Sequence, residues 1–519
     1  MVQKNMNRIL TGEVNVNTVS YGSEIEKVFS DSSGMPHAVD NEYFKALANI
    51  STERDGVEPE IEKTDSGTIL GVKNAIGKES LDNSFLLGES SVWPPVLQQD
   101  GGLNYLHTVL KQQLKDVVEV LAPRDAHVLN MSNHPLTEIT DENYYKHVAP
   151  KPVYGYMRNV RGWNHAAGIN AKAQNSPSVG VSAEDAIDAL NSSLALAPAL
   201  IAMYGNSPFE QGQVASQKES RLGLWDTTFA NNRFSGDLRT SRMPERPFSD
   251  FRDYFKWMFA EDTGMYFLVT DKDGTPLGSE KGQDATFISV DGHPTLLNYM
   301  RGEVWSATDL TGERSLTVVP DMGHFALHQF THFADARIRY GLEDTMSVAA
   351  FNEAMLGSDR EVDELFAEHG SFFYIEQREP GANFPDRDIN MLGGEIADSV
   401  VISPAAICAG FIRNMHATKK LINRYGWDTL RGLRAEAVTH GLNGEYNDIK
   451  VKDLCYDTLE VAAQGLDQNE QWMLAYPEHV LRTGQSGADC ALARYEELAG
   501  SPSQRIKQIA QERVLVLPQ

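Results

Sequence analysis

The stretch YGSEIEKVF, residues 21–29, decides how the rest of the chain is read. Glu24 and Glu26 stand two apart, with Ile25 and Val28 among them. On a β-strand that spacing sets both carboxylates on one face, because successive side chains alternate. The apolar neighbours argue against a solvated run of charge. Two carboxylates on one inward face repel each other unless a cation lies between them. A hard cation such as Mg²⁺ is held by a few carboxylates together with substrate phosphates. The alternative is a strand carrying two exposed glutamates, the commoner situation for this residue type.

Outward from this strand, the pattern alternates between scattered strands and long helices. Leu103, Leu106, Leu110, Leu114, Val117 and Leu121 recur at helical spacing. Ser182 and Asp185 form a capping pair that opens a helix over 183–203, with Pro198 as an expected kink. Ser403-Pro404 reads as a cap followed by proline at the first helical position, opening a helix that Gly426 stops. Further helices are expected over 453–463, 488–498 and 503–511. Strands are expected over 19–29, 264–270, 315–319 and 333–340, the second running into the hairpin turn DKDGTP. Region 52–82 reads as a loop or hairpin insert. Strands separated by helical inserts without βαβ alternation predict an α+β fold: one curved, mainly antiparallel sheet covered by helices. No linker splits the chain, so 1–519 reads as one catalytic domain, with its core over about 19–498 and a C-terminal helix and tail over 499–519.

Composition narrows the partners. The 519 residues carry a formal net charge of −26, which repels nucleic-acid phosphates and anionic membranes. Three cysteines far apart exclude a disulfide framework and a cysteine-rich zinc site. The start MVQKNMNRIL lacks the apolar core of a secretion signal, and no apolar run of membrane-spanning length is expected. These features point to a soluble, cytoplasmic protein, a monomer or homodimer, acting on small molecules.

Other stretches could carry chemistry. In LDNSFLLGESSVWP, residues 81–94, Asp82 and Glu89 bracket an apolar run, which alone reads as a strand between turns. The helix over 183–203 ends in YGNSPFEQGQ, and the loop beyond it leads to Arg221 and Trp225. Arginine offers a planar fork for carboxylate or phosphate. In HFALHQFTHFADARIRY, residues 324–340, His324, His328 and His332 lie four apart and raise a zinc hypothesis. Phe325 occupies the place where a metalloprotease needs glutamate, so packed histidines are the default. Asp335 and Arg337 would share a strand face, able either to hold a metal and a phosphate together or to form a salt bridge. No phosphate-binding P-loop, Rossmann glycine motif or nucleophile elbow is present.

The order of these segments resembles the glutamate–cysteine ligase family, closest to its plant and proteobacterial type. Gly22, Glu24, Glu26 and Lys27 are similar to that family's Gly-x-Glu-x-Glu-Lys strand, and LDNSFLLGESS to its Leu-Glu-Pro…Phe-Glu-Leu-Ser segment. NSPFEQG…SRLGLW resembles Asn-Ser-Pro-Phe…Gly…Ser-x-Arg…Trp, and FADARIR resembles Tyr-Leu-Glu-Met-Arg. Asp82 and Asp335 are each one methylene shorter than the family's glutamates. Gly168-Ile169-Asn170-Ala171 keeps only the asparagine of Gln-Val-Asn-Leu.

The resemblance implies a glutamine-synthetase-like fold and an ATP- and Mg²⁺-dependent ligase that makes a γ-glutamyl amide through an acyl phosphate. It implies that Glu24, Glu26, Asp82, Glu89 and Asp335 hold metal, with Glu26 and Arg337 catalytic. Arg337 would steady the transferring phosphoryl group, and Lys27 would contact phosphate or pair with a neighbouring acid. Arg221, Asn170 and Trp225 would bind the donor acid, with Arg221 gripping its carboxylate. Loop 205–224 and hairpin 271–282 would shield the intermediate. Glutamate, cysteine and ATP are the implied substrates. The alternatives are a relative that joins another acid or amine, and a binding protein that keeps the fold without the chemistry.

Overall fold

Strand β1, Ser20–Asp31, is the centre of the larger sheet, as its alternating pattern predicts. The computed structural model describes residues 19–168, 172–270, 286–310, 312, 314–358 and 360–518. On one side of β1 comes a meander of β2 (Glu60–Lys63), β3 (Ile69–Asn74), β4 (Gly77–Leu81) and β5 (Leu87–Ser91), with β5 against β1. Two short strands, β6 (Val96–Leu97) and β7 (Ala126–Val128), pair with the ends of β1. On the other side lies β8 (Asn175–Val181). A small hairpin, β9 (Phe209–Glu210) and β10 (Gln213–Val214), follows in the chain. A separate four-stranded sheet comprises β11 (Leu268–Thr270), β12 (Thr286–Val290), β13 (Trp305–Asp309) and β14 (Ser315–Val318). Finally β15 (Ala336–Leu342) and β16 (Gly370–Gln377) complete the large sheet. Its order is β15-β16-β8-β1-β5-β4-β3-β2, and every pairing is antiparallel. The expected α+β architecture stands.

Period-two alternation gives this sheet two unlike faces. One face presents Tyr21, Ile25 and Phe29 of β1 and Phe373 and Ile375 of β16 to the helical layer, all buried. Behind it pack the Gly102–Leu121, Ala183–Tyr204, Gly394–Arg413 and Val451–Gly465 helices. The Ala183–Tyr204 helix is the central post, because its residues enter both large apolar clusters. Ser182 caps it by accepting from Asp185 N, and it runs through Pro198. By length and composition it and the Gly394–Arg413 helix could cross a membrane, against expectation. Both are instead mostly buried in this core.

Two expectations need correction. The helix expected to open at Ser403-Pro404 begins at Gly394, and Asn414 separates it from the next helix, Met415–Tyr425. The apolar residues before Ser403 are buried, and Ser403 Oγ satisfies itself by donating to Val400 O while accepting from Tyr204 OH. Region 52–82 is no separate insert: it holds the end of the Asn41–Asp55 helix and the outer strands of the main sheet. The C-terminal helix expected over 503–511 forms as Pro502–Glu512. Ile506, Ile509 and Ala510 of the Pro502–Glu512 helix join the main core, and Leu515 N bonds to Val128 O at 2.8 Å.

Candidate active site

The second face of the large sheet is charged, and the register shows how. Glu26 lies opposite Glu89 on β5, and Glu24 lies between Ser91 on β5 and Ser176 on β8. Asp82, in the turn after β4, approaches the same carboxylates. One strand beyond β8, Glu376 pairs with Ser178, and Arg337 and Arg339 of β15 stand opposite Glu376 and Tyr374. Two strand spacings, about 10 Å, therefore separate an acidic group from a basic one on one face.

The acidic group is electrostatically loaded. Burial pushes the Glu26 carboxyl well above its ordinary pKa, and Asp82 and Glu24 push it further. Burial and Glu24 do the same to Glu89. Burial, with a contribution from Glu24, raises Asp82 to about 6, although Lys151 and Arg378 oppose the rise. Glu26 is held in place by Gln174 N, which donates to its Oε2 at 2.9 Å. Oxygen-only donors that repel one another suit a hard cation such as Mg²⁺. Among the described residues no three such groups converge as a ready metal site. Mg²⁺ keeps waters and phosphate oxygens, so one or two carboxylates suffice for it.

The basic group surrounds Glu376. Arg337 Nη2 lies 2.6 Å from Glu376 Oε1, Arg378 Nη1 lies 3.1 Å from the same oxygen, and Arg339 Nε lies 3.4 Å from Oε2. Burial pushes Glu376 upward, but the three guanidiniums outweigh it and hold its carboxyl down at about 2. Burial and the crowding of Arg378 and Arg339 lower Arg337 to about 10. Three cations facing one anion leave positive charge unbalanced. The buried Nε atoms of Arg337 and Arg378 also lack hydrogen-bond partners among the described residues. Such donors are what an anionic ligand would satisfy.

Not every expected residue joins this face. Lys27 points the other way: its odd position turns it toward the helices, where Nζ donates to Glu79 Oε2 at 3.0 Å and Ser90 Oγ at 2.5 Å. A phosphate contact is excluded for it by the same alternation that groups Glu24 with Glu26. Asp335 precedes β15 and turns to Arg434 of the Trp427–His440 helix, which grips both its oxygens, Nη2 at 2.6 Å from Oδ1. It stands apart from the acidic group. Arg221, near the start of the Ser220–Phe229 helix, is 7% exposed and bonded to its surroundings rather than open. Trp225, one turn on, stacks with Phe229 at 5.4 Å and leans on Phe333. Asn170 and hairpin 271–282 lie outside the described residues. Loop 205–224 is tied down by buried Asn206, whose Nδ2 donates to Ala382 O at 2.9 Å.

The three histidines are each engaged by a different partner. His324 meets Tyr299 OH at 2.8 Å, His328 Nε2 accepts from Tyr266 N at 3.0 Å, and His332 meets Tyr254 OH at 3.1 Å. Burial lowers their pKa values to about 4, 4 and 3. They are packed core histidines.

Residues that local reading missed complete the face. Arg339 could have been found by extending the alternation of Arg337 along ARIRY, and Glu376 and Arg378 by the same rule in FFYIEQRE. Lys151, whose Nζ donates to Leu81 O at 2.9 Å beside Asp82, carries no local signal.

An oxygen-rich acidic group beside under-satisfied arginines, on the open face of an antiparallel sheet, has the make-up of a centre that handles phosphoryl groups, where catalysis is positioning and electrostatics. Residues 95–350 match glutamate-cysteine ligase family 2. That region, just under half of the chain, is thus similar to a domain of that family. Glu24, Glu26, Asp82 and Glu89 lie before the matched residues and reach the site through β1, the turn after β4, and β5. Among solved structures, a glutamate–cysteine ligase from Francisella tularensis in complex with AMP is 12% identical, covering 95% of this chain and 88% of that one, with a TM-score of 0.45. A bifunctional glutathione synthetase from Pasteurella multocida is 12% identical over 98% of this chain and 52% of that one, with a TM-score of 0.46. No curated protein matches the chain in sequence.

Proposed function

We propose that this protein is an ATP-dependent ligase that joins the γ-carboxyl group of glutamate to the amine of cysteine. The observation that carries the reading is the single sheet face on which Glu24, Glu26, Asp82 and Glu89 stand beside Arg337, Arg339 and Arg378. A carboxylate does not condense with an amine in water, so its oxygen must first be made a leaving group. The donor carboxylate takes the γ-phosphoryl group of ATP, and ADP departs. The amine nitrogen then attacks the acyl carbon, the C–N bond forms, and the acyl C–O bond breaks. The phosphate leaves with the donor's former carboxylate oxygen, and the amine loses a proton.

Each group on the face has a task in this sequence. Glu24, Glu26, Asp82 and Glu89 would hold magnesium, which when bound neutralises the triphosphate. Arg337, Arg339 and Arg378 bind and orient phosphate oxygens and stabilise the charge that spreads over them in transfer. Glu376 keeps these three guanidiniums together against their mutual repulsion.

The test is incubation with ATP, Mg²⁺ and glutamate against a panel of amino acids and amines, following ADP release and product mass. ADP release that requires cysteine and yields its γ-glutamyl amide supports the reading. Release that requires a different acid or amine moves the assignment to a specialised relative, to which the altered Gly168-Ile169-Asn170-Ala171 stretch would belong. No ADP release with any pair defeats the enzyme reading in favour of a binding protein.

A further inference from the structure

The guanidinium of Arg221 has five N–H donors. Four bonds take them up: Nε to Glu219 Oε1 at 2.9 Å, Nη1 to Gln174 Oε1 at 3.0 Å and Arg378 O at 3.2 Å, and Nη2 to Glu379 O at 2.7 Å. One donor remains, and a forked grip on a carboxylate needs two. The surroundings are closed as well. Glu219 is fully buried and also accepts from Asn206 N at 2.7 Å. At Gly381, in the turn after β16, even a methyl group would meet Tyr204 O at 2.6 Å and strike Ser132 Oγ.

The partners of Arg221 lead to both halves of the charged face. Gln174 exchanges main-chain contacts with Glu26: its N donates to Glu26 Oε2 and its O accepts from Glu26 N, each at 2.9 Å. Arg378 carries one of the guanidiniums on Glu376, and its own N donates to Asp335 O at 2.7 Å. Gln174 is also bridged to Gly381 across the same junction.

We infer that Arg221 is a positioning residue that locks the Gln174 segment to the Arg378–Glu379 turn, and so fixes Glu26 relative to Arg378, rather than a residue that grips the donor carboxylate. Its catalytic consequence rests on the ligase reading above; the bonds do not.

Three forms of the full chain separate these roles: wild type, Arg221→Lys and Gln174→Ala. Lysine keeps a cation beside Glu219 but cannot reach two strands, and Gln174→Ala cuts one link while leaving Arg221 in place. Ligation kinetics and hydrogen exchange over residues 172–181 and 376–382 are measured on each. Both variants should lower kcat about 10–100-fold, the usual cost of losing an outer-shell support, and leave KM for the donor acid within about threefold. The main-chain amide at position 174, corrected for its intrinsic rate, should exchange at least about tenfold faster in both, as its opening energy falls. A KM for the donor acid raised more than about tenfold in Arg221→Lys with kcat held would restore the gripping role and overturn the inference. Unchanged exchange at Gln174 would also overturn it. If wild type forms no amide with any pair, the ligase reading fails, and the exchange result alone decides whether Arg221 locks the junction.

Discussion

Replacing Lys27 by methionine tests the two-faced sheet. Lys27 is fully buried and its partner Glu79 almost so, with side-chain exposures of 0% and 9%. The carboxylate keeps Tyr43 OH as a donor at 2.9 Å, and Ser90 Oγ beside it, but loses its cation. Stranding one partner of a buried ion pair costs about 3–5 kcal/mol. Protonation of the stranded acid sets a ceiling: from an ordinary glutamate pKa of about 4.3, neutralising it at pH 7 costs about 3.7 kcal/mol. The expected destabilisation is therefore about 3–4 kcal/mol at pH 7. It should shrink to about 1 kcal/mol at pH 5, where the ceiling falls with the pH. Methionine keeps most of the aliphatic volume, so a cavity adds little. Urea unfolding of Lys27→Met at the two pH values measures this, and Lys27→Met/Glu79→Gln should recover most of the loss. Calorimetric Mg·ATP binding to the folded variant should equal wild type. A loss below about 1 kcal/mol at both pH values, together with abolished nucleotide binding, would refute the placement of Lys27 on the helix side.

Three further outcomes are expected. Glu26→Gln and Arg337→Ala should each lower ATP-dependent turnover about 10²–10³-fold while circular dichroism stays native, since the first removes a holder of magnesium and the second a cation aimed at the phosphoryl group; Arg339 and Arg378 still hold Glu376 in the second variant. Asp335→Asn should destabilise the fold by about 1.5–3 kcal/mol in urea, because the partly exposed Arg434 loses its charge-assisted bonds to a buried acid, and leave the Mg²⁺ dependence of turnover unchanged. Stability should fall as pH drops below about 6.5, because burial lowers His134, His165 and His332 to about 3 and His324 and His328 to about 4. An imidazole with a depressed folded pKa contributes stability above its unfolded pKa and loses it on acidification, roughly 2 kcal/mol each by pH 5. Glu26, Glu89 and Asp82, raised by burial, work in the opposite direction, so thermal melts from pH 8 to pH 5 should show a net loss carried by the histidines.

What could be read from local sequence was whatever a short period controls. The β1 alternation gave Glu24 and Glu26 a common face, and the Ser182 cap opens its helix as its residue type predicts. The same rule misled where it was carried past its element. Alternation sets Asp335 beside Arg337 only where both lie on a strand, but β15 begins at Ala336, so the Asp335 side chain is free to turn to Arg434. The motif groups Lys27 with its neighbours, although its parity puts it on the other face. Ser403-Pro404 resembles a helix start, yet burial of the preceding apolar turn outweighs the proline, and Ser403 bonds back within its own helix. Arg434 and Lys151 were invisible because nothing local encodes a meeting of segments so distant in the chain.

In a ligase that works through an acyl phosphate, one oxygen of the donor carboxylate leaves with phosphate. Glutamate labelled with ¹⁸O in its γ-carboxyl group, incubated with ATP, Mg²⁺, cysteine and the protein, tests this by mass analysis of the phosphate released. An acyl-phosphate ligase transfers one labelled oxygen to each phosphate, in step with amide formed. Amide formation with unlabelled phosphate, or ADP release without amide, would contradict the account.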